Sequence, residues 1–419
     1  MTDPQTLLRA LFDRAVRLAD PMRVIAGHLP PRPRGRVLLV GAGKASARMA
    51  EAVEAEWGPC DGLIVTRYGH GRPTHVEVVE AAHPVPDAAG AAGTARLMDL
   101  VADAGPDDLV IALISGGASA LLVAPAKGVT LDEKRAVNAA LLASGAPIDQ
   151  MNTVRKHLSR VKGGQLAALA DPAPMLALLI SDVPGDDPAY IGSGPTVGDA
   201  STPADARAIL ERWNIAAPAS VRAALEGQTG VVPPGDPRLS KVENRVISAP
   251  IQSLEGAAAL ARENGFTVRI LGDALEGEAR SVAADHARMA REAQAAMAPG
   301  DAPLILMSGG ELTVTRRGDG SGGPNAEYML AMAIALDGAP GIYAIACDTD
   351  GIDGAAEVAG AIITPDTLPR ARTAGTDPAR ALDRNDAHNF FAAIGDQVVT
   401  GPTLTNVNDF RAILIQPPA

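Results

Sequence analysis

The sequence predicts an α/β protein with parallel sheets covered by helices, arranged as two domains. Three observations carry this expectation. Short apolar runs of strand length alternate with alanine-rich stretches of helical length. The chain has 419 residues, more than one hydrophobic core usually organises. A polar, Pro/Gly-rich stretch, "EGQTGVVPPGDPRLSKVEN", interrupts it from Glu226 to Asn244.

The clearest strands are expected at Val37–Val40, Leu63–Thr66, Leu109–Ile114, Met175–Ile180, Arg245–Ala249, Val268–Leu271, Leu304–Met307 and Tyr343–Cys347. The segment "NRVISAPIQSLEGAAALARENGFTVRILG" reads as a compact strand, helix, strand unit, with Gly265 placed to end the helix. The stretch from Glu226 to Asn244 reads as a linker or mobile loop, dividing the chain into an N-terminal domain over 1–235 and a C-terminal region over 236–419. The opening thirty residues carry apolar side chains at helical spacing with charges throughout, which predicts an amphipathic helix and not a signal peptide.

Composition excludes several classes of function. A net charge of -12 disfavours a nucleic-acid surface and a polybasic membrane contact, both of which need clustered Lys and Arg. Two cysteines, Cys60 and Cys347, supply neither a disulfide framework nor a Cys-rich zinc site, which fits a reducing compartment. No run approaches ~18 uninterrupted apolar residues. A cytoplasmic enzyme is expected.

Ligands of parallel sheets sit outside the carboxyl ends of the strands, so the polar loops after the strands are where chemistry is sought. In "VLLVGAGKASARMAEAV", a P-loop fails because Leu38 stands where its first glycine belongs and Ala45 follows Lys44. A dinucleotide fingerprint fails because its third glycine is Ser46, and the next strand runs into Thr66 and Arg67 instead of an acid for the ribose. What remains is a glycine turn (Gly41, Gly43), a helix start and the charge of Lys44, which together predict an anion site. The construction recurs in "ISGGAS", with Ser115, Gly116, Gly117 and Ser119, and in "SGGE", with Ser308, Gly309, Gly310 and Glu311, where successive glycine amides form anion-binding nests. Ser119 lacks the G-x-S-x-G context of a hydrolase nucleophile.

Two loops are acidic. One carries Asp182, Asp186 and Asp187, followed by Ser193, Gly194 and Thr196; the other carries Asp348, Asp350 and Asp353. Carboxylates beside phosphate nests suit magnesium-assisted phosphoryl transfer, while the second cluster departs from a calcium loop at Ile352 and Ala359. A basic island, "VRKHLSRVK", brings Arg155, Lys156, His157, Arg160 and Lys162 into an otherwise acidic chain, and Arg155 and Lys156 are candidates to clamp phosphate or carboxylate. His70 and His75 lack any metal-binding partner set.

In order along the chain, "GAGKAS", "HPVPD", "ISGGASALL", "VRKHLSRVKGG", "SDVPGDDPAYIGSGPTV", "SGGELTV", "DTDGIDG" and "TGPTLTNVNDFRAIL" resemble the class II glycerate kinases. This is the glycerate 2-kinase family, whose C-terminal part is called the MOFRL domain and whose members are often labelled hydroxypyruvate reductase. The resemblance implies ATP-dependent phosphorylation of D-glycerate at its 2-hydroxyl with Mg2+, and so D-glycerate and ATP as partners, with neither nucleic acid nor membrane; a homodimer is admissible. It implies a larger Rossmann-like domain and a smaller α/β MOFRL domain at about 300–415, with the active site in the cleft between them.

Residue by residue, the lysine of the family's glycine turn falls on Lys44, and Asp186 or Asp187 is expected to orient the substrate hydroxyl. Gly43, Ser46, Ser115, Gly116, Gly117, Ser119, Arg155, Lys156, Ser193 and Thr196 are expected around substrate and phosphate. Ser308, Gly309, Gly310, Glu311, Asn325 and Glu327 are expected around nucleotide, and Asp182, Asp348, Asp350 and Asp353 around metal; the reverse assignment of substrate and nucleotide to the two sets of loops stays open. The family's G-G-R-N-Q-E loop reads Gly322, Gly323, Pro324, Asn325, Ala326, Glu327, so a proline replaces an arginine implicated in catalysis. Two rival readings are an NAD(P)H-dependent hydroxypyruvate reductase using Gly41, Gly43 and Arg67, and a non-catalytic nucleotide or sugar-acid binding protein.

Overall fold

The computed structural model of the protein describes residues 3–72, 74–354 and 357–418. The chain divides into two compact units, the first of residues 21–247 and the second of residues up to 20 together with those from 248 onward. Each is built on its own six-stranded sheet.

In the first unit the strands are β1 (Val37–Ala42), β2 (Asp61–Arg67), β3 (Glu77–Ala81), β4 (Leu109–Ile114), β5 (Met175–Ile180) and β6 (Val242–Ser248). Their order is β3-β2-β1-β4-β5-β6, with parallel pairing from β3 through β5. The order reverses between β1 and β4, and it is there that an open α/β sheet leaves a crevice beyond its carboxyl ends. Apolar side chains of β1, β2, β4 and β5 pack against Leu97 and Val101 of the helix Ala88–Ala102 and against Leu166 and Ala170 of the helix Gln165–Ala170. A separate helical cluster joins Leu131–Ser144, Ile148–His157, Pro203–Arg212 and Ala219–Glu226 around Val137, Val154, Leu210 and Val221. Capping boxes at Thr130 with Glu133 and at Thr202 with Asp205 start two of these helices.

The second unit contains β7 (Thr267–Gly272), β8 (Gly277–Glu278), β9 (Leu304–Ser308), β10 (Leu312–Thr313), β11 (Ile342–Asp348), β12 (Gly360–Ile363), β13 (Gln397–Val398) and β14 (Asp409–Ile415). Its main sheet runs β13-β12-β11-β14-β9-β7, and β8 with β10 forms a short ribbon. Helices Ala279–Ala295 and Pro324–Leu336 cover one face of the main sheet, and Pro4–Leu18 with Pro250–Glu263 covers the other.

Several expectations need correction. The second sheet is mixed: only β7 and β9 pair in parallel, while β9, β14, β11, β12 and β13 pair antiparallel in turn. The expected strand, helix, strand unit from Asn244 is split, because β6 closes the first sheet and β7 edges the second. The domain boundary therefore falls at 247/248 instead of 235/236, and the N-terminal helix belongs to the second unit, where Leu8, Leu11 and Phe12 pack with Leu254 and Ala258. The stretch from Glu226 to Asn244 is no linker. Val232 is buried, its amide donates to the Gly163 carbonyl at 3.0 Å, and its carbonyl accepts from the Asp199 amide at 2.8 Å. No described helix is long and apolar enough to cross a membrane.

The tightest packing constraint of the first sheet lies where β1 meets β4. A Cβ on Gly41 would stand 2.0 Å from the Leu113 carbonyl oxygen, a backbone atom that cannot yield without breaking the strand pair. Gly41→Ala should lower unfolding free energy by about 3 kcal/mol, as overpacking does. Gly227→Ala, at an exposed position with open space, should stay within about 0.5 kcal/mol in the same denaturant titrations.

Candidate functional site

At the β1/β4 switch point the two following turns are stitched together. The Lys44 amide donates to the Gly116 carbonyl at 2.8 Å and the Ala45 amide to Ser115 Oγ at 3.0 Å. Gly43, at φ +142°, lies against Ser115, whose Oγ would be 2.1 Å from any Cβ placed there. These contacts explain the glycine spacing by close strand approach. They also bear on the dinucleotide reading: Ser46 Oγ donates to the Leu113 carbonyl at 2.8 Å, and Thr66 Oγ1 donates to the Gly43 carbonyl at 3.0 Å. Ser46, Ser115 and Thr66 thus hold the turn together from buried positions.

The turn leaves three ionisable side chains around Gly117. Gly117 has φ +83°, and a Cβ there would lie 3.3 Å from Lys44 Cγ and 3.2 Å from His83 Nε2. The Asp182 carboxylate, at the end of β5, accepts the Gly117 amide. Burial raises its pKa above the ordinary carboxylate value, while the positive charge of Lys44 pulls it down. Asp182 therefore joins Lys44, whereas Asp186 sits half-buried at φ +56° and the exposed Asp187 accepts the Ala189 amide at 2.9 Å.

Beyond Gly117, Ser119 Oγ lies 2.8 Å from Ser193 Oγ, which donates to Asn152 Oδ1 at 3.3 Å. Arg155 donates to the same Asn152 oxygen at 3.3 Å and to Asn138 Oδ1 at 2.6 Å. Lys156 is ion-paired with Asp199 and lies 5.3 Å from the centre of the Tyr190 ring. Thr196 Oγ1 turns away to Asn244 at 2.6 Å, fastening its loop to β6.

The second unit gathers its motifs around Arg411, which is 1% exposed. Its guanidinium donates to the Gly309 carbonyl at 2.7 Å, the Gly310 carbonyl at 3.0 Å and Asp409 at 2.5 Å. Asp409 accepts from Asn325 Nδ2 at 2.6 Å, and the Asn325 and Ala326 amides donate to the two oxygens of Asp353 at 2.9 and 2.8 Å. Asp353 thereby caps the helix Pro324–Leu336 from a distant loop. Glu327 is buried between Arg280 and Asn385, at 2.6 and 2.9 Å. The Gly309 amide is taken by the Gly272 carbonyl at 2.8 Å, so the Ser308–Gly310 turn is held as a framework, with Ser308 buried and Glu311 exposed. Pro324 occupies the first helical turn, where an amide has no intrahelical acceptor to lose.

The four carboxylates expected around metal do not form one ligand set. Among the described residues no three His, Cys, Asp or Glu side chains converge as a metal site. Asp182 belongs to the first unit, and burial pushes Asp353, held by the helix amides, up to about 7. Asp348 accepts the Asp350 amide at 2.9 Å and Asp350 the Ile352 amide at 2.8 Å, which braces their own loop. Sequence reasoning singled out neither Arg411 nor Asp409, although an arginine inside the apolar run "FRAILI" signals a buried, paired charge. Asn152 carried no sequence signal.

Residues 7–226 match the family described as a domain of unknown function (DUF4147), and residues 304–409 match the MOFRL family. A protein of Agrobacterium vitis with a provisional hydroxypyruvate reductase name is 54% identical, the match covering 98% of this chain and 94% of that protein. D-glycerate 2-kinase of Thermotoga maritima is 39% identical over 99% of this chain and 100% of its own length. A crystal structure of glycerate kinase from Thermotoga maritima superimposes with a TM-score of 0.87 at 38% identity, covering 98% of this chain and 99% of that one.

Next to Arg411, its ring-stacking neighbour Tyr328 lies 2.7 Å from His286 Nδ1 through its hydroxyl. Burial first, then repulsion by Arg411, depresses His286 from 6.5 to about 4. A depressed folded pKa means that the unfolded chain takes up the proton first, so this contribution is present above 6.5 and lost as pH falls toward 4. The unfolding free energy of wild type relative to His286→Gln should fall by up to about 3 kcal/mol across that window, measured by urea titration at several pH values.

Proposed function

The chain belongs to the glycerate 2-kinase family, and from that premise we propose that it transfers the γ-phosphoryl group of ATP to the 2-hydroxyl of D-glycerate, giving 2-phosphoglycerate. The observation that carries this reading is the meeting of Lys44 and Asp182 around Gly117 at the β1/β4 switch point. Phosphoryl transfer asks a protein mainly for positioning and charge neutralisation. Lys44 supplies the neutralising charge on the transferring oxygens, and the glycine turn lets the group approach the backbone.

Asp182, held by the Gly117 amide, takes the role expected of Asp186 or Asp187. It orients the 2-hydroxyl and accepts its proton as the oxygen attacks phosphorus. A carboxylate raised by burial is a better proton acceptor than an exposed one. His83, packed on the same glycine, walls this corner.

Nucleotide is assigned to the loops of the second unit, with the exposed Glu311 offered to it and Asn325 and Glu327, bonded to Asp409 and Arg280, bracing the loops around it. Mg2+ arriving with a nucleotide is held largely by phosphate and water and needs only one or two carboxylates. Asp348 and Asp350, adjacent on one braced loop, fit that small donor set and would hold it. The ion supplies charge neutralisation on the phosphates. Two free, buried cysteines suit the cytoplasm, where ATP is available.

A hydroxypyruvate reductase would need the glycine turn for a dinucleotide. The third-glycine position is filled by Ser46, whose hydroxyl is bonded to the Leu113 carbonyl, and Thr66 on the neighbouring strand is tied to Gly43 itself. Neither arrangement offers the ribose and pyrophosphate contacts of that motif.

Purified protein with D-glycerate, ATP and Mg2+ should yield 2-phosphoglycerate by phosphorus NMR, while hydroxypyruvate with NADPH should show no oxidation. Lys44→Ala should cut kcat/KM by about 10³-fold, the scale of losing a cation at a transferring phosphoryl group, with an unchanged circular dichroism spectrum. NADPH oxidation without phosphoryl transfer would overturn the assignment.

A further inference from the structure

The basic island of the first unit contains more buried positive charge than the chain itself neutralises. Lys156 has Asp199. Lys134 is spent on the end of the helix Ile148–His157, where its ammonium donates to the Leu158 carbonyl at 2.7 Å. Lys162 and Arg155 are different. Lys162 is 1% exposed, and its ammonium donates to the Gly192 carbonyl at 3.3 Å with no carboxylate in ion-pair range among the described residues. Arg155 rests on the amide oxygens of Asn138 and Asn152 and likewise has no acidic partner among the described residues. Burial first, then repulsion by Lys134, Arg155 and Lys156, holds the Lys162 ammonium well below the ordinary lysine value, so an anion placed beside it would restore its charge. Lys162 is buried and Arg155 half-buried; burying a cation without an acid is costly, and a chain that keeps such a pair together gains by offering it to an anion from outside.

Both cations converge on one turn. Gly192, Ser193 and Gly194 follow one another at φ +59°, +64° and +62°, and Ser193 is the only one of the three with a side chain. Gly192 packs on the turn after β4, where a Cβ would stand 2.9 Å from that of Ala118. This places Ser193 Oγ 2.8 Å from Ser119 Oγ, two residues beyond the glycine that touches Lys44. Lys162 props the first residue of the turn, and Arg155 reaches its serine through Asn152.

The proposed reaction brings two anions together, and Lys44 with the glycine turn serves the phosphoryl group. We propose that Arg155, Lys162 and the hydroxyls of Ser119 and Ser193 receive the carboxylate of the hydroxy acid, so that this cluster selects an acid over a neutral polyol. This rests on the kinase reading of the same unit. A planar guanidinium matches a carboxylate with two parallel donors, and the two serine hydroxyls, which bond to each other with Ser193 donating on to Asn152, rotate to donate to the carboxylate when it enters.

The test compares wild type with Lys162→Met, Arg155→Gln and Arg155→Lys, using steady-state kinetics with D-glycerate, D-glyceramide and ATP, and calorimetric titration with D-glycerate alone. Lys162→Met and Arg155→Gln should raise KM for D-glycerate about 10- to 100-fold, the loss of one charge-assisted hydrogen bond, and leave KM for ATP within about twofold. They should also erase the preference for glycerate over glyceramide, and Arg155→Lys should recover part of it. If Lys162→Met does not fold, Arg155→Gln carries the comparison. A rise in KM for ATP with that for glycerate unchanged, or no change in either, would overturn the carboxylate assignment. A wild type that binds D-glycerate through these residues but transfers no phosphoryl group would leave the pocket standing and remove the kinase reading.

Discussion

The first unit depends on how closely β4 approaches the turn after β1. Gly41 and Gly43 leave no room for a Cβ beside Leu113 and Ser115, so two loops distant in sequence become one stitched surface. The position of Lys44 follows from that contact, because its own amide is bound to Gly116 and its side chain lies on Gly117. The position of Asp182 follows as well, since the Gly117 amide holds its carboxylate. A single steric constraint on strand spacing thus sets the cation and the acid of the proposed chemistry, without any long side chain having to find its place by packing alone.

The second unit solves a different problem with a buried charge. Four motifs far apart in the chain, "SGGE", "GGPNAE", "DTDGIDG" and "NDFR", prove to be one hydrogen-bonded object. Arg411 holds the carbonyls of the first and the aspartate of the last, Asp409 holds Asn325, and Asp353 caps the helix that Asn325 opens. Arg411, Asp409 and Asp353 each have an opposite charge or several hydrogen bonds, which is what a buried ionic group requires if it is to add rigidity and not strain. Lys162 and Arg155 of the first unit lack such acidic partners, and this asymmetry separates framework charge from charge directed at a ligand.

The first sheet was legible where burial is two-sided. Strands β1, β4 and β5 are continuous apolar runs and stood out, whereas β3, "EVVEA", is a half-polar edge and did not. The apolar pattern reports that a segment is a strand but says nothing about its partner, so β6, the helix after it and β7 looked like one local unit although the two strands join different sheets. The amphipathic stripe of the N-terminal helix likewise announced a buried face without naming the Pro250–Glu263 helix it covers. At the site, Lys44 and the serine and glycine turns were readable from short motifs. The distinct fates of Asp182, Asp348, Asp350 and Asp353 were not, because an aspartate that caps a helix and one that faces a ligand have the same sequence signature.

Pro324 shows how a change in chemistry can leave the fold untouched. The first residue of a helix has no intrahelical acceptor for its amide, and its φ already lies near the value a proline ring imposes. The cap on this helix comes from Asp353 through the amides of Asn325 and Ala326, which a proline one residue earlier does not disturb. Replacing an arginine by proline at this position therefore removes a charge while keeping the helix, the Asp353 bonds and the Arg411 network.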